Sequence, residues 1–244
     1  MKLDKSTMDW VRRINDETEQ SIQLYGSFKN RPIKVSPITE DNAYVYVKNE
    51  TYKTCLNQET IKRILSQILL SNSIHYRYKC VVPNYGYGVP EYEPLLEVSE
   101  KLDSLGIKEI LSVGAGCGFF DLILSNLNRK LSIESSDIVP PEIRHYPIIN
   151  YTGIEHIENT QFKNYALLFV WPPGEKWVSE TIERYRSKGI EHKYIILVGS
   201  VYEWGGCWSD MLSEELEQWE QIDNDVYTYR NFDETEYIKI YRFI

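Results

Sequence analysis

The chain has 244 residues, of which 42% are hydrophobic and 13% aromatic, enough to bury the core of one sizeable domain with an appendage. A formal net charge of -9 with no long Lys/Arg block argues against a broad phosphate-tracking surface, although a local basic pocket stays open. Four scattered cysteines (Cys55, Cys80, Cys117, Cys207) and four dispersed histidines lack metal-ligand spacing, so the sequence predicts free thiols in a reducing compartment and no metal centre. The opening stretch MKLDKSTMDW has no apolar signal core and no apolar run approaches ~18 residues, which predicts a soluble, cytoplasmic protein without membrane contact.

Residues 6–24 carry Met8, Val11, Ile14, Thr18 and Ile22 near helical spacing, and Arg31-Pro32 and Ser36-Pro37 then break the pattern. AYVYV at 43–47 is a strand candidate. Asn57 is placed to cap a second helix whose apolar face is Ile61, Ile64, Leu65, Ile68 and Leu69. The tyrosine-rich stretch 76–94, with two glycines and three prolines, reads as a shaped loop or lid. A helix over about 91–105 leads into the strand IKEILSV, a glycine loop, the helix FFDLILSNL and the strand KLSIESSD. A weaker strand near 147–151, the apolar strand YALLFVW, a helix over 176–188 and the buried strand HKYIILVGS follow. A helix near 209–218 and two strands near 222–229 and 236–243 close the chain, the last pair spaced for a hairpin. Strands alternating with helices predict an α/β fold, a mainly parallel sheet covered on both faces. The domain expectation is an N-terminal helical extension and lid over 1–84 and a Rossmann-like domain over 85–244.

SVGAGCGFFD, at 112–121, follows a buried strand and opens a helix, the context in which a glycine motif means most. Gly114 permits the turn out of the strand, Gly116 lets a ligand approach the backbone, and Gly118 lets the start of the helix pack closely. With Ala115 they form a candidate cofactor cradle, the alternative being a tight turn that holds nothing. Phe119 stands where a dinucleotide fingerprint has glycine, and the absence of GK[ST] excludes a P-loop. Asp137 falls nineteen residues after Gly118, at the tip of the next strand, where an α/β sheet presents a carboxylate to ribose hydroxyls; Glu134 is the alternative.

The third feature is FVWPPGEKW at 169–177. Together with VGAGCG and Asp137 it resembles class I S-adenosylmethionine-dependent methyltransferases, and the WPP sequence followed by a Gly-Gly-Cys segment resembles a poorly characterised branch of them. The resemblance covers roughly residues 85–244. It implies a seven-stranded sheet with an antiparallel last strand, S-adenosylmethionine as cofactor, a cofactor site at Gly114, Ala115, Gly116, Gly118 and Asp137 with Tyr87 from the lid, and catalytic or substrate-facing roles for Trp171 and Pro172. Glu203, in SVYEWGGC after the fifth strand, is a candidate general base, with Tyr87 or Tyr85 as alternatives. Ser112 stands where the family usually has an acid, and Trp171 and Gly174 flank the prolines where amino-group methyltransferases carry a polar residue and an aromatic one. Indole has one N–H donor and no acceptor, so an N6-adenine substrate is not indicated.

The residues leave three readings open. The first is a methyltransferase whose methyl acceptor the sequence does not name. A second is a catalytically inactive scaffold or regulatory subunit of the same fold, docking a protein partner through the N-terminal extension. The third is an RNA- or cap-modifying methyltransferase with a basic groove around Lys62, Arg63, Arg77 and Lys79, although the acidic balance disfavours nucleic acid.

Overall fold

Three short segments, EILSV, ALLFV and YIILVG, are buried on successive residues rather than alternately, the pattern of strands covered on both faces. They form the centre of a large sheet in the computed structural model, which describes residues 27–28, 31–32, 58–68, 86, 88–141, 144–172, 176–199, 216–222, 227–231 and 234–244. The elements, in chain order, are β1 (Ser27–Phe28), β2 (Arg31–Pro32), α1 (Gln58–Ile68), α2 (Tyr92–Ser104), β3 (Glu109–Val113), α3 (Phe119–Leu127), β4 (Ser132–Ser136), β5 (Ile148–Ile149), α4 (Gly153–Asn159), β6 (Ala166–Val170), α5 (Lys176–Arg186), β7 (Tyr194–Gly199), β8 (Trp219–Gln221), β9 (Tyr227–Asn231) and β10 (Glu234–Phe243). Among the described residues, the two-residue strands β1 and β2 pair with each other and with no other strand.

The large sheet runs β5-β4-β3-β6-β7-β10-β8, with β9 also on β10. β5 through β7 are mutually parallel, and β10 is antiparallel to β7, β8 and β9. β8 pairs with Tyr241–Phe243 and β9 with Glu234–Ile238, along the edge of β10 that β7 leaves free. The eight strands therefore fill seven positions, the mainly parallel seven-stranded arrangement with a reversed last strand expected of a class I methyltransferase-like fold.

Alternate residues of the central strands feed two apolar layers. Ile110, Ile133, Leu168, Ile196 and Ile238 face α1, α2 and α3 through Ile61, Ile64, Leu95, Phe120 and Ile123. Leu111, Val113, Leu167, Phe169, Ile195 and Leu197 face α4 and α5 through Ile157, Val178, Ile182 and Tyr185. Of the face predicted for α1, Ile61, Ile64 and Leu65 are in the core, Ile61 and Ile64 fully buried, while Leu69 lies outside the described residues.

Most expected elements occur within a few residues of their predicted places. α4 was not foreseen: GIEHIEN has little apolar periodicity, and its helicity comes from the N-terminus. Thr152 Oγ1 accepts from the Glu155 amide while the Glu155 carboxylate accepts from the Thr152 amide, a complete capping box that satisfies two end amides. Of the helix predicted over 209–218, Leu216–Gln218 forms a 3₁₀ turn and the earlier part lies outside the described residues. The expected helix over 6–24 and the strand at 43–47 lie outside them too.

Candidate functional site

In a parallel sheet the loops leaving the carboxyl ends of neighbouring strands meet on one edge. Here that edge gathers the glycine loop after β3, Asp137 after β4, the segment entering α4, and Trp171 and Pro172 after β6.

The glycine loop is fastened on both sides. The Ala115 amide donates to the Ser136 carbonyl at 2.9 Å, and the His145 amide donates to the Cys117 carbonyl at 2.7 Å. Gly114, Gly116 and Gly118 all have left-handed φ, at 68°, 56° and 69°, yet their neighbours differ. A Cβ on Gly118 would lie 2.7 Å from Tyr146 Cβ and 3.3 Å from its backbone nitrogen. What needs the small residue at 118 is therefore the 144–147 segment folding back over the loop. A Cβ on Gly114 would stand 3.1 Å from the Trp177 ring, whereas one on Gly116 would meet nothing within 4 Å. Gly116 is the glycine that faces open space.

Asp137 is tied to that glycine. Its Oδ2 accepts from the Gly116 amide and its Oδ1 from the Val139 amide, each at 2.9 Å. A carboxylate has about four acceptor sites, so two amides leave capacity for hydroxyl donors. Glu134 is directed elsewhere: its Oε2 accepts from Thr160 Oγ1 at 2.8 Å and lies 3.4 Å from Nε2 of the buried His156. Burial holds the His156 imidazole below the usual histidine range, against the opposing pull of Glu134.

Beside Asp137 lies a cavity of about 530 Å³, bounded by Val113 and Gly114, by Ile138, by Tyr151 through Ile154, and by Trp177, Glu180 and Thr181 of α5. Its lining is chiefly apolar, with hydroxyls from Tyr151, Thr152 and Thr181 and two carboxylates, Asp137 and Glu180. None of the lining residues is Lys, Arg or His. Ile138 is 64% exposed and Ile154 40%, so two large apolar side chains stand open at its rim.

Beneath the loop lies a polar group that sequence reasoning missed. Asp121 of α3 is fully buried, and its two oxygens accept from Ser112 Oγ at 2.9 Å and Ser135 Oγ at 2.6 Å. Burial raises its carboxyl to about 6, against the lowering effect of the two serine hydroxyls. Nearby Tyr146 is pushed up to about 12, first by burial and then by the Asp121 charge. A lone acid among the apolar residues of FFDLIL was the available signal, and Ser112 proves to be one of its two serine partners.

At the end of β6 the chain turns sharply. Trp171 has φ 53°, the one left-handed non-glycine among the described residues, a conformation costly for a large side chain. Two bonds hold it: its amide donates to the Val198 carbonyl at 2.7 Å, and its indole Nε1–H donates to Oε2 of Glu236 at 2.8 Å. Glu236, on β10, is fully buried. It shares strand parity with Ile238 and Ile240, a carboxylate in an inward-facing register, which is the sequence signal that could have found it. Pro172 is buried.

The end of the expected lid crosses this edge. A Cβ on Gly86 would lie 3.6 Å from Cys117 Sγ, and one on Gly88 would lie 2.3 Å from Val170 Cγ1 and 3.7 Å from Trp171 Cδ1. Gly88, Val89 and Pro90 are buried. The structure thus brings Gly114, Ala115, Gly116, Gly118 and Asp137 together, with Trp171 and Pro172 two strands away from Asp137. Tyr85, Tyr87 and Glu203 lie outside the described residues. Among the described residues no cluster of His, Cys, Asp and Glu could hold a metal ion, and no helix is long and apolar enough to cross a membrane.

No family model matches the chain, and no curated protein matches it significantly. Among solved structures it is similar to 1,6-didemethyltoxoflavin-N1-methyltransferase of Burkholderia thailandensis, at 12% identity over 62% of this chain and 78% of that one, with a TM-score of 0.43. The N-methyltransferase NodS of Bradyrhizobium japonicum aligns at 12% identity over 62% and 97% of the two chains, with a TM-score of 0.42. Magnesium protoporphyrin IX methyltransferase of Synechocystis, solved with S-adenosylmethionine, aligns at 13% over 78% and 98%, with a TM-score of 0.41. At this distance function rests on the geometry of the site itself.

Proposed function

We propose that the protein is an S-adenosylmethionine-dependent methyltransferase, with the sulfonium nucleoside held between the glycine loop and Asp137. The observation that carries this reading is the cavity at the carboxyl edge, apolar and hydroxyl-lined, with Asp137 and Glu180 as its charges. A phosphate or pyrophosphate there would face two carboxylates with no lining cation to neutralise it. A nucleoside without phosphates meets no such penalty, and one bearing a positive charge is favoured.

The residues present fit that ligand. Gly116 leaves a space that any side chain would fill, and Asp137 has unused acceptor capacity for the ribose hydroxyls. Ile138 and Tyr151 offer apolar surface for a flat base, and the Thr152 and Thr181 hydroxyls offer polar partners. Bound S-adenosylmethionine supplies an activated methyl group on sulfur, ready for in-line displacement. The protein contributes alignment and exclusion of water. The buried Gly88–Pro90 segment shields the edge between the glycine loop and Trp171, and the bonds from Trp171 to Val198 and Glu236 fix the end of β6.

The reading is tested by incubating the protein with methyl-labelled S-adenosylmethionine and fractionated small-molecule, RNA and protein extracts. Label entering one fraction, with matching release of S-adenosylhomocysteine, supports it and names the acceptor class. Binding of S-adenosylmethionine without transfer to any fraction would favour the scaffold reading instead.

A further inference from the structure

His156 lies midway along α4 with its side chain 1% exposed. Neither ring nitrogen has a hydrogen-bond partner: Nε2 stands 3.4 Å from Oε2 of Glu134 without forming a bond, and Nδ1 has no partner at all. A neutral imidazole tolerates such a place at a cost, whereas an imidazolium brings a charge and two N–H donors into it. Glu134 is half-buried, and its Oε2 already accepts from Thr160 Oγ1 at 2.8 Å. The groups around the ring are few. β4 supplies Glu134, and the segment entering α4 supplies Tyr151, whose ring centroid lies 6.4 Å away. β3 and α5 pack against this helix with Leu111, Val113, Val178 and Ile182, and with the Thr181 hydroxyl beside Gly153. The charges on α4 itself are engaged elsewhere, Glu155 in the N-terminal cap and Glu158 with Arg184 and Lys188 of α5. Among the described residues Glu134 is the one charge that acts on the imidazole.

We propose that His156 is an acid-sensitive catch for the α4 wall of the cavity: neutral, it lets the helix seat against β4, and protonated, it leaves its buried place so that the helix opens and the cavity releases its ligand. The link between ring and cavity is short. Tyr151, Thr152, Gly153 and Ile154 line the cavity, and the His156 amide donates to the Thr152 carbonyl at 3.0 Å. α4 has seven residues, so its stability comes from its cap and its packing rather than from its length. Burial holds the imidazole below its ordinary value, so the closed state binds the proton less tightly than an opened one. Closure is therefore fully favoured above about pH 6.5, the ordinary histidine value, and loses ground as pH falls below it. For one proton that loss reaches at most about tenfold at about pH 5.5. The catch stands on the packing of α4, while its effect on S-adenosylmethionine rests on the methyltransferase reading.

Hydrogen–deuterium exchange of the ligand-free, full-length protein reads the opening directly, with rates corrected for the intrinsic pH dependence of amide exchange and α5 as the internal reference. Protection of the α4 amides relative to α5 is expected to fall about three- to tenfold between about pH 7.5 and 5.5. His156→Phe and His156→Gln cannot ionise and should hold that ratio constant, with thermal melts to verify that each is folded. Glu134→Gln removes the carboxylate that opposes the effect of burial and should enlarge the fall. A constant ratio in the unmodified protein, or an equal fall in a folded His156 variant, overturns the catch. Calorimetric titration with S-adenosylhomocysteine at the same two pH values should show weaker binding at the lower one, and a smaller loss in the His156 variants. An opening of α4 that leaves affinity unchanged overturns the release of ligand. Failure to bind at either pH overturns the methyltransferase reading and leaves the exchange ratio to decide the catch.

Discussion

The amide of Gly116 donates to Oδ2 of Asp137 at 2.9 Å, so the open point of the glycine loop and the acid at the tip of β4 form one hydrogen-bonded unit. The carboxylate therefore has two functions at once. It fixes the loop's left-handed residue and faces the cavity with its remaining lone pairs.

Asp137→Ala removes the acceptor for both Gly116 and Val139. The expected outcome is at least a tenfold loss of S-adenosylhomocysteine affinity by calorimetry. A fall in stability of about 1–3 kcal/mol should accompany it, the range for charge-assisted bonds at a partly exposed site, read from thermal melts. A variant that melts lower but binds normally would make Asp137 a structural residue only.

Two glycine substitutions separate ligand space from packing space. Gly116→Ala meets no neighbour and carries only the cost of a left-handed alanine, about 1–2 kcal/mol, while placing a methyl group where the ligand would lie. Gly118→Ala carries the same backbone cost and adds a collision with Tyr146 at 2.7 Å. Denaturant unfolding should therefore show Gly118→Ala as the less stable variant, with Gly116→Ala the one whose loss of binding exceeds its loss of stability.

The general architecture was legible because buried parallel strands announce themselves by continuous apolar runs, and the loops between them by glycine and proline. The candidate site was legible where it depends on backbone shape, as at Gly116, or on a strand tip, as at Asp137. What escaped was polar and long-range. Asp121 and Glu236 are buried acids whose partners lie nine and 65 residues away, at Ser112 and Trp171, and only the fold brings them together. α4 escaped because its stability begins with the Thr152–Glu155 cap rather than an apolar stripe.

Asp121 makes a prediction about pH. Its folded carboxyl is raised from 3.8 to about 6, so the folded state binds the proton more tightly than the unfolded chain. The associated stability is fully present below about pH 4 and is lost as pH rises through about 6, a difference of about 3 kcal/mol. Asp121→Asn keeps hydrogen-bonding contact with the serines but cannot ionise. Its stability relative to the unmodified protein should increase between pH 4 and pH 7, measured by urea unfolding across that range. A constant difference would contradict the buried-carboxyl assignment.

Thr152→Ala removes the side-chain half of the α4 cap, at a cost of about 1 kcal/mol. Thr152 also lines the cavity, so S-adenosylhomocysteine affinity should weaken as well. Thr152→Ser should restore both, since the serine hydroxyl can accept from the Glu155 amide in the same way. Thermal melts and titration of the two variants side by side check this.

On the proposed reading the carboxyl edge holds a sulfonium nucleoside and not a phosphate-bearing cofactor. Calorimetric titration of the full-length protein with S-adenosylmethionine, and with NADH as the phosphate-bearing comparison, tests it most directly. The expected result is saturable binding of one S-adenosylmethionine per chain, weakened by Asp137→Ala, and no binding of NADH. Absence of S-adenosylmethionine binding at millimolar concentration, or preference for NADH, would contradict it.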